Sequence, residues 1–226
     1  MNKSLFTIIV FSFFSNHNFA QNANSNISNG NTNRENLLMR SGYLNPLETN
    51  GAPYLYSEYK KAKIANNQKS VDLRYNAYKD EVEIINDGRN MVIFKNQEYS
   101  PIHILDSDEI LYLVTYPYND KFVTGYLFEV KKYPDFTILM KISKSYTKGK
   151  YAQDTFDTRK DNSYEDLPDV FYIQNSDGKI VEMPKTKSKL IEMFPQKKEK
   201  IEKNILKNKI DTKDLKVLSR LFTALS

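Results

Sequence analysis

The sequence predicts an α+β protein in which an antiparallel β-meander, forming a curved open sheet or a partial barrel, is followed by about three short C-terminal helices. From about Lys60 to Pro184, apolar and polar residues alternate with a period of two, and turn signals recur along the chain. No helical pattern interrupts this region, which favours successive hairpins over parallel strands. After Pro184 the apolar residues change to spacings of three and four, which are typical of amphipathic helices.

The N-terminus predicts a cleavable signal peptide over residues 1–20. Lys3 supplies a positive charge, a largely apolar run extends from Leu5 to Phe14, and a cut is expected after Ala20. The run would span about 15 Å as a helix, roughly half of a membrane core. Because Asn18 is larger than the residue usually found three places before a cut, the position could move by one or two residues. We expect export to the periplasm or the outside, and a mature chain without a transmembrane segment.

Residues 21–50 are predicted to form a disordered spacer, since asparagines and small residues dominate them and leave little to bury. An antiparallel β domain is expected over residues 51–184. Its first hairpin joins the run from Val71 through Asn86-Asp87-Gly88-Arg89-Asn90 to Met91–Phe94, with Asp-Gly supplying the positive φ of a tight turn. Further strands are predicted at 99–104, 109–115, 122–131, 136–145, 170–175 and 179–183. Residues 145–169 lack periodicity and predict a long loop, which is either functional or poorly ordered.

The C-terminal segment, residues 185–226, is predicted to form three short helices that pack on one another or on the sheet. The first runs from Lys187 to Phe194, Pro195 opens the second, and Thr212 is expected to cap the third. Lysines are concentrated here but alternate with glutamates, as on a solvated helix face; an anionic-surface or nucleic-acid patch is the alternative. Because export separates the chain from DNA and RNA, no nucleic-acid partner is expected.

Several chemistries are excluded by composition. The chain has no cysteine, which rules out disulfides, thiolate nucleophiles and a lipidated cysteine. Of its two histidines, His17 lies within the predicted signal peptide, so His103 alone cannot build a multi-histidine metal site. The motifs of serine nucleophiles and phosphate-binding loops are also missing. We therefore expect a protein that is not an enzyme, with no cofactor and no metal.

Two residue classes still carry possible function. Paired carboxylates could hydrolyse glycosides or, in the loop, bind calcium, although solvated surface is the simpler interpretation. The candidates are Asp80, Glu81, Glu83, Asp154, Asp157, Asp161, Glu165 and Asp166. Sixteen tyrosines and thirteen phenylalanines exceed what a core requires, and exposed tyrosines suit contacts with sugars or proteins. The tyrosines expected on the open face or in loops are Tyr54, Tyr56, Tyr59, Tyr116, Tyr118, Tyr146, Tyr151 and Tyr164.

Two stretches carry a resemblance. Gly51-Ala52-Pro53-Tyr54-Leu55 and Arg74-Tyr75-Asn76-Ala77-Tyr78-Lys79-Asp80-Glu81-Val82-Glu83 resemble segments of a group of uncharacterised secreted or periplasmic Bacteroidota proteins. The resemblance implies an exported envelope protein and brings no catalytic residue with it. The candidate motif residues Arg74, Tyr75, Asn76, Tyr78 and Asp80 are interpreted as a hydrogen-bond network that fixes the first hairpin, with a binding spot as the alternative.

Three functional hypotheses follow. The first is a non-enzymatic envelope protein that binds another envelope protein or a glycan. The second is a carrier of a lipid or other apolar ligand, in which the sheet wraps a cavity lined by residues such as Tyr126, Phe128, Ile138 and Met140. The third is a carboxylate-based glycan hydrolase.

Overall fold

The computed structural model of the chain describes residues 46–152 and 158–226. The predicted signal peptide and the spacer up to residue 45 lie outside the described residues and stay predictions. The strands are β1 Thr49–Asn50, β2 Lys60–Ile64, β3 Val71–Asn76, β4 Glu81–Asn86, β5 Arg89–Val92, β6 Ile102–Ile104, β7 Glu109–Tyr118, β8 Lys121–Lys132, β9 Phe136–Lys141, β10 Lys144–Thr147, β11 Asn162–Asp166, β12 Val170–Asn175 and β13 Ile180–Glu182. The helices are α1 Lys187–Met193, α2 Lys198–Asn204 and α3 Leu215–Leu225, with 3₁₀ turns at Gln97–Tyr99 and Pro195–Lys197.

Ten strands form one antiparallel sheet in the order β13-β12-β9-β8-β7-β6-β2-β3-β4-β5. Three strands lie between β3 and β8 in the sheet order, yet the ring centroids of Tyr75 on β3 and Phe128 on β8 are only 5.3 Å apart. This contact shows that the sheet curves strongly. The two end strands, β13 and β5, do not pair with each other, so the sheet stays open. The predicted α+β class with a curved open sheet is confirmed.

Tight turns join the hairpins where the sequence supplies residues that tolerate positive φ. Asp87 and Gly88 have φ of 49° and 73°, and they connect β4 to β5 in the predicted first hairpin. Asn119 and Asp120, with φ of 49° and 60°, connect β7 to β8. The strand predicted over 109–115 is therefore longer than expected, since β7 continues through Tyr118. A two-residue turn with both φ positive matches the twist of the strands it joins.

A second sheet of three short strands, β1-β11-β10, corrects three expectations. The strand predicted over 136–145 ends at Lys141, and Lys144 begins β10. The long loop predicted over 145–169 begins and ends in strands β10 and β11, which pair antiparallel. Two residues of the predicted spacer, Thr49 and Asn50, pair in parallel with β11. These strands are polar and short, so they show no apolar alternation that a sequence pattern could reveal.

The C-terminal helices pack on one another and on the sheet. Leu190 of α1, Ile201 of α2 and Leu221 of α3 are buried in one cluster with Ile138 of β9 and Phe171 of β12. Pro195 opens the turn before α2, as expected. The cap of α3 differs from the prediction, because the side chain of Asp214, not Thr212, accepts a hydrogen bond from the Lys216 amide at 2.8 Å. No helix in the described part of the chain is long and apolar enough to cross a membrane.

Candidate functional site

The two stretches that carry the resemblance lie against each other. The carbonyl of Pro53 accepts hydrogen bonds from the amides of Ala77 and Tyr78 at 2.8 and 3.2 Å, and the Leu55 amide donates to the Tyr75 carbonyl at 3.0 Å. Gly51 has a φ of 73°, and a Cβ there would lie 2.6 Å from the backbone oxygen of Tyr164. The first stretch is thus held between β3 and β11, so that both stretches belong to one structural unit.

Arg74 is the centre of the first group of motif residues. Its guanidinium carbon lies 3.3 Å from the ring centroid of Tyr54 and 4.5 Å from that of Tyr59. It donates to Glu83 at 3.0 Å, and the amide of Asn76 donates to the same carboxylate at 3.3 Å. A planar cation stacked on aromatic rings and paired with a carboxylate is a combination that lysine cannot reproduce. This group fixes the β3–β4 hairpin to the preceding segment.

We expect Arg74→Lys to lower the free energy of unfolding by about 1–2 kcal/mol, because an ammonium loses the stacked plane while keeping the charge. Urea denaturation followed by circular dichroism measures the change. The matched control is Arg89→Lys, since Arg89 is an exposed residue of the edge strand β5 and should change stability little. Equal stabilities for the two variants would contradict a stacking role for Arg74.

Asp80 is the centre of a second group, in which Tyr75 and Lys141 are buried and Lys95 is exposed. Its carboxylate forms an ion pair with Lys141, accepts from the Tyr75 hydroxyl at 2.8 Å, and pairs with Lys95 at 2.6 Å. Lys141 also donates to the Tyr75 hydroxyl at 2.9 Å. Asp80 occupies the left-handed region with a φ of 58°, at the end of the β3–β4 turn. The sequence interpretation put all five motif residues in one network, whereas the structure places Asp80 in a group with Tyr75.

The position of this group follows from how the strands pair. β9 pairs with β8 from Phe128 onward, so the backbone of Tyr126 has no β9 partner on that side. The Tyr126 amide donates instead to Asp80 at 3.2 Å, and its carbonyl accepts from Lys141 at 3.3 Å. The side chains of Asp80 and Lys141 thereby satisfy the backbone N–H and C=O groups of Tyr126. Left without partners in a buried strand, these two groups would cost several kcal/mol.

The electrostatics of the group are those of a desolvated ion pair. Burial lowers the pKa of Lys141, and the adjacent Asp80 carboxylate opposes that shift. Burial, followed by the Asp80 charge, raises the pKa of the Tyr75 hydroxyl. Sequence reasoning missed both lysines of this group. Lys141 offered one signal, because it follows the apolar run Ile138-Leu139-Met140, whereas Lys95 offered none.

Tyr78 belongs to a third group, a cluster of three tyrosines that we call the tyrosine cluster. The ring centroid of Tyr78 lies 5.5 Å from that of Tyr164 and 6.1 Å from that of Tyr146, and the latter two are 4.8 Å apart. Tyr78 is 44% exposed and Tyr146 is 38% exposed. The Tyr146 hydroxyl donates to the Asn162 side chain at 3.0 Å, which orients its ring. The cluster is a preformed aromatic surface that solvent reaches.

The other tyrosines expected at the surface have varied places. Tyr54 and Tyr59 stack on Arg74, and the Tyr56 hydroxyl donates to Glu109. Tyr116 is buried with its ring 5.0 Å from that of Tyr172, so its expected exposure is wrong. The two that stay exposed outside the tyrosine cluster are Tyr118 and Tyr151, at 40% and 37%.

The carboxylates proposed as catalytic pairs are mostly engaged with donors. Asp161 pairs with Arg159, Asp166 with Lys144, and Glu165 accepts from the Ser163 hydroxyl. Two of the candidates, Asp154 and Asp157, lie outside the described residues, and so does the calcium prediction that rests on them. Among residues 46–152 and 158–226, no group of three or more His, Asp or Glu side chains could hold a metal ion.

Two further expectations concern His103 and the apolar carrier cavity. His103 lies on β6, 42% exposed at its side chain, with Nε2 2.7 Å from Asp108. The side chains proposed to line one cavity belong to different clusters. Tyr126 and Phe128 are buried against Tyr75, whereas Ile138 and Met140 pack with the helices.

Comparison of the chain with protein-family profiles, with curated proteins and with solved structures finds no match. The similarity to secreted Bacteroidota proteins therefore stays a prediction. A functional conclusion has to come from the geometry of the three groups of motif residues.

Proposed function

We propose that this chain is an exported, non-enzymatic binding protein of the cell envelope, and that its tyrosine cluster contacts a glycan. The observation that carries the proposal is a group of three mutually contacting rings, on the β3–β4 turn, β10 and β11, of which Tyr78 is 44% exposed and Tyr146 is 38% exposed, while Tyr164 is half-buried. Large aromatic rings left exposed together are costly in water unless a ligand covers them.

The chemistry of tyrosine suits a sugar. Its ring packs on the apolar C–H face of a pyranose, and its hydroxyl can hydrogen bond to ring hydroxyls. The rings of Tyr146 and Tyr164 are held by the antiparallel β10–β11 pair, in which the two residues are directly opposite. A surface held by backbone pairing loses little conformational freedom on binding, which favours affinity.

The test is isothermal titration calorimetry with a panel of neutral oligosaccharides, whose lack of charge prevents the basic C-terminal segment from contributing. We expect binding to at least one of them, weakened about tenfold by Tyr146→Ala, because alanine replacement of an interface tyrosine commonly costs more than 1 kcal/mol. Tyr118→Ala is the matched control, since Tyr118 is 40% exposed on the β7–β8 hairpin and is not part of the tyrosine cluster.

The outcomes separate the functional hypotheses. Absence of binding across the panel would contradict the proposal for the tyrosine cluster. An equal loss of affinity in Tyr146→Ala and Tyr118→Ala would contradict it as well. Release of new reducing ends from a bound oligosaccharide would favour the glycan hydrolase instead. The carrier hypothesis predicts extraction of apolar molecules with the purified protein, and the packing of Tyr126 and Ile138 in separate clusters counts against it.

A further inference from the structure

Positive charge is concentrated in the C-terminal helical segment. Between Lys185 and Ser226 the chain has twelve lysines and arginines against five aspartates and glutamates, a net charge of +7. Because the whole chain carries +5, the remaining residues sum to −2. The helical segment is therefore a basic region beside a sheet domain that is close to neutral, and it attracts anionic surfaces.

Helix α3 carries a second apolar stripe beside its buried face, in which Leu218 and Phe222 pack partly against the core and Leu215 is open to solvent. Its buried residues are Leu221, Ala224 and Leu225, which face the sheet cluster. Leu215, Leu218 and Phe222 follow one another at spacings of three and four, and they line an open cleft of about 470 Å³ together with Lys131. Leu215 is 80% exposed.

Basic side chains lie on the polar face of α3 and at the cleft. Lys216 and Arg220, four residues apart on α3, are exposed, and neither forms an ion pair with any part of the chain that the structure describes. Lys131 stands at the cleft from the neighbouring strand β8. A helix with an apolar stripe on one side and cations on its polar face has the arrangement with which helices lie in the interface of an anionic membrane.

We propose that α3 and its cleft dock on the surface of a bilayer that contains anionic phospholipids. Leu215, Leu218 and Phe222 enter the boundary between headgroups and acyl chains, while Lys216, Arg220 and Lys131 contact lipid phosphates. Each basic residue near such a surface strengthens binding about fivefold, and burial of the apolar stripe adds a contribution that salt does not screen. This inference is independent of the proposed glycan binding.

The leucines distinguish a bilayer from a nucleic acid as the occupant. Proteins bind nucleic acids through cations that contact phosphates and through aromatic rings that stack on bases. An exposed aliphatic leucine makes no favourable contact with a phosphate backbone. A protein that binds polyanions by charge alone would be insensitive to Leu215. The response of binding to this leucine therefore separates the two classes.

The test is co-sedimentation of the full chain with two kinds of vesicle. One contains phosphatidylcholine alone, and the other also contains phosphatidylglycerol, at about 30% of the lipid, to supply anionic headgroups. We expect binding to the anionic vesicles only. Leu215→Ser should weaken it about tenfold, and removal of Lys216 and Arg220 by alanine should weaken it about fivefold for each charge. All variants carry the same N-terminus, so residues 1–20 contribute equally.

Leu206→Ser is the matched control, because Leu206 lies in the same basic segment, is 72% exposed and does not line the cleft. It should bind as the unaltered chain does. Unchanged vesicle binding by Leu215→Ser, or an equal loss in Leu206→Ser, overturns the assignment to α3. Binding to a DNA duplex that matches vesicle binding and ignores Leu215→Ser would show a nonspecific polyanion patch instead.

Discussion

Asp80→Ala should lower the free energy of unfolding by about 4 kcal/mol, among the largest effects expected of any single substitution in this chain. The change leaves Lys141 buried, at 6% exposure, without its counter-charge. It also removes the acceptor of the Tyr126 amide and of the Tyr75 hydroxyl. Urea denaturation followed by circular dichroism, with the midpoint and slope fitted together, measures the loss.

Two comparisons make this prediction specific. Asp72→Ala removes an ion pair with Lys61 whose side chains are 39% and 56% exposed, and it should cost less than 1 kcal/mol. Lys141→Met keeps a long unbranched side chain and leaves Asp80 paired with Lys95, so it should cost less than Asp80→Ala. Equal stability of Asp80→Ala and Asp72→Ala would show that the buried pair contributes no more than a surface one.

The elements that the sequence predicted share a local signal. The meander could be predicted because Val71, Leu73 and Tyr75 alternate with polar residues. The turns of the first hairpins could be predicted because they contain Asp, Asn or Gly. The helices were predictable because their apolar residues recur at helical spacing, as the buried Leu221, Ala224 and Leu225 of α3 show. A short-range period is a property of the chain itself, so no knowledge of the fold is needed to see it.

What escaped prediction depends on contacts between distant positions. Asp80 and Lys141 are separated by 61 residues, and nothing near either of them announces the other. The three-stranded sheet joins Thr49–Asn50 to Asn162–Asp166 through polar backbone pairing, with no apolar face to mark it. Such features arise from how the large sheet curls, which alternation along single strands does not specify.

The grouping of the five motif residues around Arg74 was predicted only in part. All five candidate residues contact other side chains, but they divide among three groups. Alternation on β3 explains the first division, since Arg74 and Asn76 face Glu83 while Tyr75 points to the opposite face, towards Phe128. The division of Asp80 from Tyr78 follows from the turn, where the backbone at Asp80 becomes left-handed.

Gly125→Ala should destabilise the protein by about 2–3 kcal/mol, although alanine is usually tolerated within a strand. The Cβ would collide with Asp80 Oδ2 and lie 3.1 Å from the Tyr116 hydroxyl. Asp80 cannot turn away at low cost, because Lys141, Lys95 and Tyr75 all hold its carboxylate. The substitution therefore acts through the buried pair and not through backbone strain, and thermal and urea denaturation both report it.

A double-mutant cycle with Asp80→Ala tests that mechanism. Once the carboxylate is gone, Gly125→Ala has space for its methyl group and also reduces the freedom of the unfolded chain, so its cost should fall below about 1 kcal/mol. The coupling between the two sites should then be about 2 kcal/mol and should favour the double variant over the sum of the single ones. Additive effects would mean that Gly125 is required for its own backbone geometry, and that the Asp80 carboxylate is not what excludes a side chain there.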